Sequence, residues 1–301
     1  MTTTASPARS RIDETVAHRL LESSRTLSFD PTTEVDWDAP LDPTQHGLSP
    51  EWSSLYGTPL WDRMTPEQRV TLTRHEACSV MSTGIWFEMI LQQMVLRELY
   101  ASDPTRSEFM FGLTEIADEC RHSIMFARAM QTMGVPAYGP SRLAVELARG
   151  YKTLATGESA YGGILVAEEV LDIYQRDLMR DERVLPVIRT TSRIHVVEES
   201  RHMTFAREEM KAALEGASAA RRLRSGTLIA IVASVIVGNL VHPKVYAAAG
   251  LDVREAVAAA KDNPHHAAML RTSSAHLMEF LDECGLVGGP ARRIYSRLHL
   301  L

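Results

Sequence analysis

The sequence predicts an all-α protein built around a four-helix bundle, and three observations predict it. Long stretches rich in Ala, Leu, Met, Glu and Arg repeat their apolar positions every 3.6 residues, and no segment alternates like a strand. Two Glu-x-x-His units, Glu119/His122 and Glu199/His202, lie 80 positions apart, and their neighbours keep the register: Asp118 and Arg121 fall on Glu198 and Arg201. A single Glu precedes each unit by 31 positions, Glu88 before the first and Glu168 before the second. Residues three apart share a helix face, so each unit aims a carboxylate and an imidazole at one point. One Glu from each of two helices, plus Glu-x-x-His from each of two others, is the ligand set of carboxylate-bridged di-iron and di-manganese bundles.

The elements follow in order. Residues 1–60 hold Pro7, Pro31, Pro40, Pro43, Pro50 and Pro59 and little helical periodicity, which predicts a mobile terminus and then an extended arm. Residues 61–301 form the bundle domain. Thr65 caps a helix with Pro66 at its first position; this helix reaches about Tyr100 and carries Glu88. The Asp103-Pro104 turn leads to a helix over about 105–133 with the first Glu-x-x-His, stopped by Gly134-Val135-Pro136. A third helix covers 141–155. Gly157 and the Gly162-Gly163 pair frame the start of the helix that carries Glu168 to about Met179. The next, over about 181–214, carries His195 and the second Glu-x-x-His. Helices near 219–241, 251–261 and 264–284 and a short tail complete the chain. Two antiparallel pairs of ligand-bearing helices with extra helices around them make a ferritin-like core.

Composition narrows the function. A formal charge of −6 argues against nucleic acid as a partner. Cys78, Cys120 and Cys284 are too scattered for a disulfide framework or a zinc site. The first residues lack the apolar core of a secretory signal, and the apolar run 227–241 falls short of the ~20 residues that span a bilayer. It reads as a buried helix, and the expected setting is a reducing cytoplasm without membrane attachment.

The contexts of Glu88 (GIWFEMILQQMVL) and Glu168 (GGILVAEEVLDIY) are too apolar for a solvated face. Carboxylates are rarely buried unless paired or bound to metal. Oxygen ligands with a few imidazoles suit iron or manganese. Asp118, Glu198 and Asp172 are candidates to orient the ligands, since metal-bound imidazoles usually donate their other N–H to a carboxylate; for Asp118 and Glu198 the alternative is a surface salt bridge with Arg121 or Arg201. The register breaks at one place. His195 lies one turn before Glu199, while its counterpart 80 positions earlier is Glu115. His195 is either a third imidazole at the site or a satisfied bystander. Trp86, Phe87, Met89, Ile164, Leu165 and Leu171 flank the two lone carboxylates, so an apolar cavity large enough for a benzene ring is expected beside the metals.

The order Glu, Glu-x-x-His, Glu, His-x-x-x-Glu-x-x-His, over about residues 65–245, resembles the p-aminobenzoate N-oxygenase (AurF-like) di-iron family. The resemblance implies seven metal ligands, Glu88, Glu119, His122, Glu168, His195, Glu199 and His202, and favours Glu168 over the adjacent Glu169. It implies two iron ions, with an iron–manganese pair allowed, and O2 as co-substrate. The implied reaction oxidises an aryl amine through the hydroxylamine toward the nitro compound. Expected partners are therefore a small-molecule amine and an electron donor, with a homodimer left open. Competing readings are a di-iron hydroxylase on another substrate, an acyl desaturase, which His195 argues against, and a non-enzymatic ferritin-like metal protein, which needs no extra helices. A radical-generating subunit would need a Tyr at the site, and Tyr174, six after Glu168, is out of phase.

Overall fold

The computed structural model describes residues 12–301, so residues 1–11 of the expected terminus lie outside the described residues. Among the described residues the helices are α1 (Glu14–Thr26), α2 (Pro31–Glu34), α3 (Pro59–Arg63), α4 (Pro66–Leu99), α5 (Ser107–Met133), α6 (Arg142–Leu154) and α7 (Glu158–Leu178). After these come α8 (Pro186–Ala213), α9 (Ala219–Val237), α10 (Lys244–Ala248), α11 (Val253–Lys261), α12 (Pro264–Glu283) and α13 (Pro290–Arg297). The only extended pairing among these residues is an isolated bridge between His46 and Val184. The protein is all-α and ferritin-like.

Helix α4 starts as its sequence dictates. Thr65 accepts from the Gln68 backbone at 3.2 Å while the Gln68 side chain accepts from Thr65 N at 3.1 Å, a capping box with Pro66 at the first helical position. Its 34 residues span about 50 Å at 1.5 Å per residue. Helix α5 ends on Gly134, whose φ of 66° is the left-handed conformation a stop there requires. The short turns between α4 and α5 and between α7 and α8 make each pair antiparallel. These pairs pack closely, α7 on α8 and α4 on α5, and α5 lies against α8 to close the bundle.

Several local expectations are corrected. Helix α7 begins at Glu158, so Gly162 and Gly163 lie inside it. Their role is close approach: a Cβ at Gly162 would sit 2.3 Å from Ile229 Cδ1 of α9, and one at Gly163 would meet the Tyr151 hydroxyl of α6. The segment read as an extended arm contains α1, which packs on α5 and α8. Asp13 caps it, and Glu14 accepts from Ser107 N at 2.6 Å. The tail is also helical, with Tyr295 of α13 fully buried. The run 227–241 breaks after Val237, and no helix among the described residues is long and apolar enough to cross a membrane.

Candidate metal centre

Helix α4 supplies Glu88, α5 Glu119 and His122, α7 Glu168, and α8 His195, Glu199 and His202. All seven are buried, none more than 9% exposed. Their donor atoms converge in two groups, Glu88, His122 and His195 in one and Glu119, Glu168, Glu199 and His202 in the other, with the atoms of each group within 4.8 Å of one another.

Glu119 and Glu199 stand between the groups. Glu119 turns Oε2 to His122 Nδ1 at 3.3 Å and Oε1 to His202 Nδ1 at 3.0 Å, one oxygen toward each imidazole. Glu199 Oε1 lies 3.3 Å from both His122 Nδ1 and His195 Nε2, and 3.5 Å from His202 Nδ1. His195 Nε2 is 3.7 Å from Glu88 Oε1. The third imidazole therefore faces the centre, and it serves the His122 side only.

The outer nitrogens of the histidines are held across the bundle. His122 Nε2–H donates to Glu198 at 2.7 Å, and His202 Nε2–H donates to Asp118 at 3.2 Å. Each carboxylate thus steadies the imidazole of the opposing helix, leaving Nδ1 free to face the centre. Arg121 donates to Asp118 and lies 3.5 Å from Glu198, and Arg201 lies 3.7 Å from Asp118. The salt bridges and the imidazole contacts coexist. The arm seals this layer: Phe29 N donates to Glu198 at 3.0 Å and Arg201 to the Leu27 carbonyl at 3.1 Å. Asp172 does not join in; it accepts from Arg176 at 2.8 Å on its own helix. Glu169 likewise faces away and accepts from Arg207 at 2.7 Å.

Two contributors escape sequence reasoning. His195 Nδ1 pairs with Gln175 Oε1 at 2.7 Å, and the Ser123 hydroxyl donates to Glu88. Gln175 sits seven residues after Glu168, hence on its face of α7; that phase is the only signal in the sequence. Tyr174 does line the small cavity at the site, contrary to the phase argument.

The electrostatics of the metal-free chain follow from burial and from these contacts. Burial pushes the Glu168 carboxyl well above the usual range, and Glu199 and Glu115 add to it. Glu199 is held well below it, because His195 and His202 outweigh desolvation. His122 and His202 are held well above the ordinary imidazole value, their carboxylate partners overcoming a burial that works the other way. In the metal-free chain these carboxylates thus favour the protonated form of both imidazoles.

The donor set fits two metal ions on an observation independent of motif. Buried polar atoms normally have hydrogen-bond partners, yet Glu88 Oε1, Glu119 Oε1, both oxygens of Glu168, Glu199 Oε2 and His202 Nδ1 have none. Two divalent cations would satisfy these atoms and balance the four carboxylates, and the mix of oxygen with a few imidazoles suits iron or manganese.

The p-aminobenzoate N-oxygenase AurF family matches residues 11–285. The chain belongs to this family. Its curated relatives include uncharacterized proteins of Mycobacterium bovis and of two strains of Mycobacterium tuberculosis, each 28% identical over 203 residues, covering 64% of this chain and 58% of the relative. The chain therefore spans less than two thirds of the length of those relatives.

Proposed function

We propose that Glu88, Glu119, His122, Glu168, His195, Glu199 and His202 hold two iron ions, one replaceable by manganese, and that the protein is an O2-dependent N-oxygenase of an amine. The observation that carries this reading is the convergence of unpartnered oxygens and inward imidazoles in two adjoining groups, with His195 adding a nitrogen on one side only. Reduced iron at this centre would supply the electrons that activate O2. In the first step the amine, O2, two electrons and two protons give the hydroxylamine and water, the electrons coming from an external protein or small-molecule reductant. The chain's own work is positioning. Asp118 and Glu198 fix two imidazoles, Gln175 fixes the third, and Phe87, Leu91, Phe126 and Leu171 keep water from the ligands.

One observation favours the second reading, a non-enzymatic ferritin-like metal protein. The cavity touching the ligands holds about 50 Å3, well below the ~150 Å3 of an apolar cavity that accepts benzene. The room expected beside the metals is not there. The test is turnover with iron-loaded protein, O2, a reductant and a panel of aryl and alkyl amines, read as product mass. Mass gains of one or two oxygens that disappear in His195→Ala, with iron content kept, are expected. Iron uptake without oxidation of any amine would favour the second reading.

A further inference from the structure

The space missing at the ligands lies immediately beyond them. A cavity of about 470 Å3, within the size range of small-molecule sites, runs between α4, α7, the α9–α10 connection and α12. It shares Val80, Leu171 and Tyr174 with the small cavity at the metal ligands. The hollow of about 430 Å3 under α6 shares only Phe87 with that small cavity. The first is thus the natural continuation of the site.

Its walls are mainly apolar, formed by residues such as Leu48, Trp52, Val170, Leu240 and Leu270. Glu76 is out of character there. It is 1% exposed, and its Oε1 accepts from Ser54 N at 3.0 Å and from Ser54 Oγ at 2.5 Å. Its Oε2 has no partner. Burial pushes this carboxyl up to about 7, with the Ser54 and Ser53 hydrogen bonds working against it. The second unpartnered polar atom on this wall is Nδ1 of His266, a ring that burial pushes down to about 4 and so keeps neutral. An unpartnered carboxylate oxygen in a mainly apolar wall calls for a donor, and a positive one serves best. Lys261 and Arg297 line the cavity too, but both are exposed, where solvent screens them.

We propose that this cavity binds the body of the substrate, an elongated apolar molecule with a cationic amine at the Glu76 end. Its other end passes Val80, Leu171 and Tyr174 to the metal centre. That direction rests on the function proposed above; binding at Glu76 does not. Glu76 and Glu88 are 12 residues apart on α4, about 18 Å along the helix axis. The substrate is therefore two-ended, with the reacting nitrogen at the metals and a second basic group roughly that far away.

Binding to the metal-loaded full chain separates the two claims, with decylamine, 1-decanol and decanoate as probes and tryptophan fluorescence as readout, since Trp52 lines the cavity. Decylamine should bind at least tenfold more tightly than 1-decanol, and decanoate more weakly than either. Glu76→Gln keeps an oxygen for Ser54 and should bring amine and alcohol to within about twofold, with the thermal midpoint little changed. Leu270→Trp, which fills the cavity without touching the small one, should abolish decylamine binding and leave metal content intact. Equal affinity for amine and alcohol in the unsubstituted chain, tighter decanoate, or a preference that survives Glu76→Gln would overturn the proposal. So would decylamine binding that survives Leu270→Trp. An amine preference found without any turnover would support this site while counting against the oxygenase reading.

Discussion

The two halves of the bundle carry the same ligand pattern and solve one position differently. In α8, His195 precedes Glu199 by one turn, faces the centre and is held by Gln175. In α5, Glu115 occupies the equivalent position before Glu119; it is fully buried, and neither of its oxygens has a hydrogen-bond partner. Burial pushes this carboxyl up to about 8, and the nearby Glu119, Glu199 and Asp118 add to that while His202 works against it. The pseudo-symmetric frame thus gives its two donor groups unequal surroundings, an extra imidazole on the Glu88 side and a buried acid without hydrogen-bond partners on the Glu168 side. A repeat that builds the scaffold need not build two equal sites.

The largest expected effect comes from removing what the halves share. Glu119 places one oxygen toward each group, so Glu119→Ala should drop metal content from about two ions per chain to one or fewer, measured by elemental analysis after Fe(II) loading. The metal's contribution to thermal stability should fall with it, because binding is coupled to folding. Retention of both ions would show that the halves do not share a carboxylate.

A smaller effect should fall on one half at a time. Asp118→Asn loosens His202, and Glu198→Gln loosens His122, because each carboxylate holds the imidazole of the opposite helix. Each change should cost roughly 10–100-fold in affinity for one ion, and the two variants should weaken different steps of a stepwise Fe(II) titration. Loss of the same step in both would contradict the cross-bundle pairing.

These contacts mark the border of what the sequence discloses. The ligand positions are legible because helix periodicity turns spacing into facing, and a metal site demands fixed residue types at fixed phases. Gln175 and Ser123 are not, because their role depends on which rotamer meets a neighbour on another helix. Asp118 and Glu198 are legible as candidates, but only the packing of α5 on α8 shows that they cross over. Helix α1 is hidden because a short helix before a proline-rich arm depends on its cap and on docking to α5 and α8 rather than on its own periodicity. The glycines of α7 look like breakers in sequence, and only the nearness of Ile229 and Tyr151 explains them. The apolar flanks of Glu88 and Glu168 suggest a roomy cavity at the metals, yet helix packing leaves about 50 Å3 there and places the larger space one wall away.

The odd position itself gives the subtler contrast. Glu115→Leu removes a buried acid without partners and should stabilise the metal-free chain by about 1–3 kcal/mol in denaturant unfolding. A destabilisation of similar size would mean that Glu115 is satisfied in a way the present contacts do not reveal.

Proton linkage should be visible in both halves at once. The carboxylates around His122 and His202 raise both imidazoles, so the metal-free chain favours protons there. Metal binding must displace them, so affinity should rise with pH through neutrality and loading should release protons. The stability these two groups lend the metal-free chain has the opposite sense: it is full below the unfolded imidazole value and is lost as pH rises through the raised folded value. Loading without proton release, seen with a pH indicator in weak buffer, would contradict this.

The claim on which everything else depends is that the two donor groups together hold two ions. Anaerobic titration of the metal-free chain with Fe(II), followed by removal of free iron and elemental analysis, tests it directly. The account predicts close to two iron ions per chain; a stoichiometry of one, or uptake of a single zinc in preference to iron, would contradict it.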